Sequence, residues 1–99
     1  MKYYYDFEQN EYISETKLLE IYNQLKAENS IDYSFPHFKM NCLSVNNGSL
    51  ITLYARKNEL SKQLFDYKLD SYETGIDFSD EIETIENELS FVKSLMEGE

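Results

Sequence analysis

The spacing of apolar residues divides the chain into four segments. The first, residues 2–13, is rich in tyrosine and phenylalanine, which favour a pleated, half-buried surface. In a strand, Tyr3 and Tyr5 share one face and Tyr4 lies on the other. Residues 8–10 are typical of a turn, after which a second short strand follows. We therefore predict a small N-terminal β-hairpin or extended segment, which must pack on helices because such a hairpin is marginal alone.

The second segment is predicted to be a helix over about residues 15–28. Ser14 is a suitable N-cap, since its hydroxyl can accept an otherwise unpaired backbone N–H. Glu15 in the first turn and Lys26 in the last turn complement the helix dipole, and residues 29–30 end the helix. One buried stripe follows the i, i+3, i+4, i+7 spacing of a helix: Leu18, Ile21, Tyr22 and Leu25.

The third segment has two interpretations. In the first, Pro36 begins a short helix, residues 46–48 supply a left-handed C-cap, and one face carries Phe35, Phe38, Cys42 and Val45. In the second, residues 43–45 and 50–51 are strands that flank an Asn-Gly turn. The four-residue spacing within the apolar face favours the helix.

The fourth segment, from about residue 52 to the end, reads as a helical hairpin. Its first helix carries an apolar stripe of Leu53, Leu60, Leu64 and Tyr67, and we expect Phe65, Leu69 and Tyr72 to widen this stripe. Gly75 breaks the helix, because glycine adopts positive φ readily.

The second helix of this hairpin is predicted to begin at Ser79 as its N-cap, with Asp80 and Glu81 at its positive end. Its apolar residues alternate steps of three and four, as in a heptad seam: Ile82, Ile85, Leu89, Val92 and Met96. Two helices with a short connection pack antiparallel. The predicted fold is therefore mainly α (α+β). It is a single domain, 1–99, made of an aromatic and helical module, 1–48, and an acidic helical hairpin, 49–99.

Composition argues against several classes of protein. The chain has 99 residues, a formal net charge of -10 and one cysteine, and 41% of its residues are hydrophobic. This hydrophobic content argues against full disorder, and one cysteine excludes an internal disulfide. Direct nucleic-acid binding needs a basic face, so we do not expect it. The sequence shows no secretory signal or membrane-spanning stretch, so we expect a cytoplasmic protein without a membrane partner.

The charge is concentrated near the C-terminus. Residues 70–99 hold ten acids and one base, whereas residues 39–69 hold two acids and five bases. In the last helix Asp80, Glu83 and Glu86 recur every ~4.5 Å along the axis. Phosphates recur every ~3.4 Å along one DNA strand. Such a row can present itself to a basic groove as nucleic acid does, and the candidate partner-binding residues are Tyr72, Glu73, Asp77, Asp80, Glu81, Glu83, Glu86 and Glu88.

Two simpler interpretations stand beside this one. An acidic outer helix face often only keeps a protein in solution. The basic residues Arg56, Lys57, Lys62 and Lys68 also offer an internal partner across the hairpin, although Arg56 and Lys57 could instead touch another protein. For these bases, pairing within the hairpin is favoured over contact with another protein. Such pairing would help to set the antiparallel packing of the two helices.

The sequence offers little catalytic chemistry. His37 and Cys42 are five residues apart, so in a helix their side chains point about 140° apart. A zinc site needs about four ligands, no glycine-rich phosphate loop is present, and residues 77–81 lack the spacing of a calcium loop. Cys42 on an apolar stripe is typical of a small core residue, and His37 of a residue near a helix start. We expect no enzyme activity, cofactor or metal.

About half of the chain carries a pattern of caps and amphipathic spacing. Its marks are Tyr12-Ile13-Ser14-Glu15, Leu18-Leu19, Tyr22-Asn23-Gln24-Leu25-Lys26, Tyr33-Ser34-Phe35, Phe38, Cys42-Leu43 and Asn46-Asn47-Gly48-Ser49-Leu50. In this pattern the stretch 5–53 resembles short accessory proteins of phages and prophages of Gram-positive bacteria. The resemblance implies a mobile-element protein, a class that includes inhibitors of host defence such as anti-CRISPR proteins.

These observations favour a small acidic protein that acts by binding. The first hypothesis is an inhibitor that occupies the basic nucleic-acid groove of a host defence protein, such as a Cas nuclease. The alternative is a non-inhibitory assembly or regulatory protein that oligomerises through its helical hairpin, for example as a homodimer.

Overall fold

The N-terminal hairpin forms as predicted. A computed structural model describes residues 2–43 and 48–98. Strands β1 (Tyr3–Asp6) and β2 (Glu11–Ser14) pair antiparallel. The turn between them holds Asn10 at φ 53°, in the left-handed region that asparagine tolerates better than most residues.

A third strand, β3 (Leu50–Thr52), was not predicted as part of this sheet. It pairs antiparallel with β1, and the strand order is β2-β1-β3. The hairpin interpretation of the third segment had residues 50–51 in a strand but assigned them the wrong partner. A three-residue strand carries too short a pattern to identify its partner, which lies more than forty residues away in sequence.

Both sides of the central strand are covered. Tyr4 joins the core of the N-terminal part of the chain, whereas the ring of Tyr5 contacts Tyr12 and Phe7 at centroid distances of 5.0 and 5.3 Å. Both tyrosines are buried. The alternation of side chains along β1 therefore places one tyrosine in each of two aromatic clusters.

Helix α1 (Glu15–Ala27) begins and ends where the sequence indicates. The Ser14 hydroxyl accepts the backbone N–H of Lys17 at 3.1 Å, and Asn29 follows the helix at φ 58°. The Tyr22 hydroxyl donates to the carbonyl oxygen of Tyr33 at 2.6 Å. The core that this helix helps to build contains Tyr4, Ile13, Leu18, Tyr22, Phe38 and Leu50, with Ile21 and Leu25 partly buried against it.

Helix α2 (Phe35–Leu43) confirms the favoured interpretation of the third segment. Phe38 is buried in the core, and Phe35 and Cys42 are partly buried against it. Val45 and the cap predicted at 46–48 depend on residues 44–47, which lie outside the described part of the chain.

The predicted helical hairpin is also present. Helices α3 (Leu53–Thr74) and α4 (Ser79–Glu97) pack against each other, and Gly75 after α3 has φ 74°. The buried residues on the two helices are Leu53, Arg56 and Leu60, with Ile85, Leu89 and Val92. Contacts divide the chain into two compact units between residues 52 and 53, four residues beyond the predicted division.

Two details of the hairpin were predicted wrongly. Phe65, Leu69 and Tyr72 do not widen the buried stripe, because they are 65%, 41% and 89% exposed. At about 100° per residue they lie roughly 120° to 180° around α3 from Leu60.

The start of α4 is the second such detail. Ser79 is the first residue of α4 and not its N-cap, which is Phe78 and makes no side-chain capping bond. Asp77 instead accepts hydrogen bonds from the backbone N–H and the hydroxyl of Ser79. The Asp77 carboxylate therefore accepts a backbone N–H at the start of α4, which is the role that the sequence assigned to the Ser79 hydroxyl.

Candidate protein-binding surface

The acidic row on α4 is exposed along its length. The buried seam holds Ile85 and Leu89, whereas Asp80, Glu83 and Glu86 all face solvent. Each of these acids follows the last by three residues, so it lies ~4.5 Å further along the axis and turns back by ~60°. The row therefore winds from the side opposite the seam toward one edge of the helix.

Glu88, by contrast, pairs inside the hairpin. Its Oε1 accepts a hydrogen bond from Nη2 of Arg56 at 2.8 Å, and Nη1 of Arg56 bonds Glu59. Arg56 is only 8% exposed. The internal pairing predicted across the hairpin is confirmed for Arg56, and one acid of the candidate set already neutralises a buried cation.

Asp77 lies in the connection between the two helices. Hydrogen bonds from the hydroxyl and then the backbone N–H of Ser79 hold the pKa of Asp77 below its usual value. A carboxylate stabilised in this way stays charged to lower pH. Asp77 therefore anchors the start of α4 and still adds a negative charge beside Asp80.

A shallow groove of about 430 Å³ runs between α3 and α4. Its lining residues are Gln63, Tyr67, Asp80, Glu81, Thr84, Ile85 and Glu88. A groove lined by carboxylates together with Tyr67 and Ile85 suits a lysine or arginine side chain, which has an apolar stem and a charged head. The structure thus brings three of the predicted acids, Asp80, Glu81 and Glu88, to one groove.

Tyr72 and Glu73 are placed elsewhere. Both lie near the C-terminal end of α3, and Tyr72 is 89% exposed. They share the side of α3 that carries Phe65 and Leu69, about 120° to 180° away from the packed stripe. The predicted set therefore separates into an acidic surface on α4 and an aromatic surface on α3. Sequence reasoning missed the second, although the i, i+4, i+7 spacing was visible.

His37 and Cys42, the histidine and cysteine of the N-terminal unit, lie beside an aromatic ring and against the core, respectively. His37 is exposed, and its ring lies 5.1 Å from that of Tyr33. Cys42 packs partly buried against the core, and burial raises the pKa of its thiol. A raised pKa leaves less of the nucleophilic thiolate at neutral pH. Cys42 thus has the surroundings expected of a small core residue.

Across residues 2–43 and 48–98, no group of three or more His, Cys, Asp or Glu side chains is arranged to hold a metal ion. None of the helices in that same part of the chain has both the length and the apolar character needed to cross a bilayer. Comparison of the chain with protein-family models, curated proteins and solved structures gives no match.

Proposed function

We propose that this protein acts by binding, as a small acidic phage or mobile-element protein that inhibits a host defence nuclease of the kind that anti-CRISPR proteins inhibit. Its acidic surface on α4, which comprises Asp80, Glu81, Glu83 and Glu86, occupies a basic nucleic-acid groove of that nuclease. The exposure of this row supports the proposal.

Charge and geometry both favour a basic partner. Helix α4 carries one base of its own, Lys93. The buried base on α3, Arg56, pairs with Glu88 and Glu59, which are not in the row. Exposed carboxylates at near-phosphate spacing steer association with a basic surface and suppress binding to acidic ones. The groove between α3 and α4 then offers a seat for a lysine or arginine side chain of the partner.

The test is inhibition of DNA cleavage by a guide-loaded Cas nuclease that has a basic nucleic-acid channel. We expect the wild-type protein to inhibit, with an affinity that falls as salt rises. The triple change Asp80→Lys, Glu83→Lys and Glu86→Lys should weaken inhibition at least ~100-fold, because each like-charge contact with the groove costs several kcal/mol.

A matched control distinguishes the loss of the acidic surface on α4 from a change in the net charge of the protein. The triple change Glu11→Lys, Glu20→Lys and Glu28→Lys alters the net charge equally at exposed positions of the N-terminal unit, and it should inhibit nearly as well as wild type. Asp80 lies in the first turn of α4, where a lysine could unfold the helix. The neutral triple change Asp80→Asn, Glu83→Gln and Glu86→Gln therefore provides a second test of the same surface. Full inhibition by a folded neutral or reversed α4 variant would exclude the proposal.

A further inference from the structure

Helix α3 carries a second apolar face that the hairpin does not bury. Phe65, Leu69 and Tyr72 are 65%, 41% and 89% exposed, and their spacing of four and then three residues places them on one stripe. The packed side of α3, with Leu53 and Leu60, lies across the helix. An exposed stripe with two aromatic rings is typical of an interaction surface.

The borders of this stripe carry opposite charges. In heptad terms, Phe65 and Tyr72 occupy one seam position and Leu69 the other. One border holds Asp66 and Glu73, seven residues apart. The other border holds Lys68, and before it Ser61; all four of these border residues lie within α3. A partner helix must match an acidic edge on one side and a basic edge on the other.

We propose that the stripe of Phe65, Leu69 and Tyr72 pairs with the same stripe of a second copy of this chain, with the two α3 helices parallel. In parallel pairing each basic border meets the acidic border of the other helix. Lys68 then faces Glu73 of the second copy, five residues on, and the two-fold symmetry repeats this pair.

The opposite orientation is unfavourable. In an antiparallel pair each border meets the same border of the other helix, so Asp66 and Glu73 would face the acids of the second copy. Like charges at such positions destabilise a helix pair. The charge pattern therefore selects the parallel arrangement.

Lys62 sets the strength of this dimer. It precedes Leu69 by seven residues and so occupies the same seam position, where one lysine specifies register and oligomeric state at a cost in stability. Two aromatic and one aliphatic side chain per subunit bury on the order of 400 Å², below the ~800 Å² per partner of a standard interface. The dimer is therefore reversible and weak.

This inference goes beyond the proposed inhibition. It uses α3, whereas the acidic row lies on α4, and it assigns Tyr72 and Glu73 to the contact between copies. Changes at Asp80, Glu83 and Glu86 remove no contact of the proposed dimer, so each proposal can fail without the other.

The first experiment measures molar mass by sedimentation equilibrium over a wide range of concentration. Wild type should show a reversible monomer–dimer equilibrium. Phe65→Asp and Tyr72→Asp should each raise the dissociation constant at least tenfold, whereas Met40→Asp, at an exposed apolar residue of α2, should leave it within twofold. A wild-type chain that stays monomeric throughout overturns the proposal.

The second experiment exchanges the border charges. Lys68→Glu and Glu73→Lys should each weaken the dimer, and the double variant should recover the wild-type dissociation constant because the pair is restored with reversed sign. Lys62→Leu should tighten the dimer at least tenfold, since each copy then places an apolar leucine at a seam position that a charged side chain occupies in wild type. If the double variant loses as much dimerisation free energy as the two single variants together, the parallel pairing is contradicted.

The third experiment fixes the orientation. In a Cys42→Ser background, Phe65→Cys and Tyr72→Cys should each form a disulfide with the same position of the second copy. In a parallel pair, each of these positions lies beside its equivalent on the other helix. An antiparallel pair allows such self-linkage only near its two-fold axis. Cross-linking at one of these positions but not the other therefore overturns the proposal, and so does cross-linking at neither.

Discussion

At the scale of single residues, the helical hairpin encloses a buried cation. Arg56 lies inside the helix pair, and its guanidinium bonds Glu59 on its own helix and Glu88 on α4. A buried charge is costly unless it is paired and hydrogen-bonded. This requirement explains why one acid near the apolar seam of α4 has a structural role that its neighbours lack.

We predict that Glu88→Gln lowers the free energy of unfolding by about 1–3 kcal/mol, because the amide oxygen of glutamine can still accept from Arg56 but no longer neutralises its buried charge. Glu86→Gln, an equal change at an exposed position of the same helix, should cost less than ~0.5 kcal/mol. Urea unfolding of both variants measures the difference. Equal values for the two would show that the Arg56 pair contributes nothing.

A second prediction concerns Asp77, whose pKa is lowered mainly by the hydroxyl of Ser79. Ser79→Ala should raise the pKa of Asp77, which NMR titration of its carboxyl carbon measures. Because the pKa is lowered in the folded state, the stabilisation is present at pH above the ordinary aspartate value. It is lost as pH falls through the lowered value. Ser79→Ala should therefore reduce stability at neutral pH and leave it unchanged in strong acid.

At the scale of elements, the hairpin is held by a narrow apolar seam. Leu60 is 1% exposed on α3, and Val92 is fully buried on α4. Amphipathic helices of this length are stabilised chiefly by packing of their apolar faces and only weakly by intrinsic propensity. The seam therefore decides whether α3 and α4 form.

We predict that Leu60→Ala lowers the free energy of unfolding by about 2–5 kcal/mol, the cost of lost burial plus a cavity. Tyr54→Ala, at a position of the same helix that is 65% exposed, removes a larger side chain and should cost less than ~1 kcal/mol. Thermal and urea unfolding give both values. A smaller loss for Leu60→Ala than for Tyr54→Ala would contradict the assigned seam.

At the scale of the whole molecule, the charge of -10 acts differently on the two proposed interactions. Two copies of an acidic chain repel each other, and salt screens that repulsion. Binding of the acidic row to a basic groove is attractive, and the same salt weakens it. One solution variable therefore separates the two interactions.

We predict that raising NaCl from about 0.05 to 0.5 M, which shortens the screening length to under ~5 Å, tightens the dimer and weakens inhibition of the nuclease. Sedimentation equilibrium and the cleavage assay measure the two effects on the same samples. A dimer that weakens with salt would mean that the Lys68–Glu73 pairs outweigh the net repulsion. Inhibition insensitive to salt would exclude the acidic row as the binding surface.

Much of the fold was predictable from local patterns. Ser14, the stripe of Leu18 and Tyr22, and Gly75 each act through neighbours within about one helical turn, so their spacing alone identified α1 and the break after α3. The heptad seam of α4 was found in the same way. These features need no knowledge of distant contacts.

The candidate site was only partly predictable. The sequence showed that the acids crowd α4, but it could not show that Glu88 pairs with Arg56 while Asp80, Glu83 and Glu86 remain exposed. It also led us to place Phe65, Leu69 and Tyr72 in one broad buried stripe on α3, whereas they form a separate, exposed one. Spacing places Phe65, Leu69 and Tyr72 on a stripe, but only packing decides which stripe meets α4.

The sequence by itself determined three of the helices and the concentration of negative charge near the C-terminus, and it favoured α2 and an N-terminal hairpin, because periodicity and composition are local properties. The tertiary structure alone decided that β3 joins β1, that Arg56 is buried against Glu88, and that an aromatic stripe on α3 stays exposed. Each of these depends on residues far apart in the chain, where many pairings are compatible with the same local pattern and packing selects one.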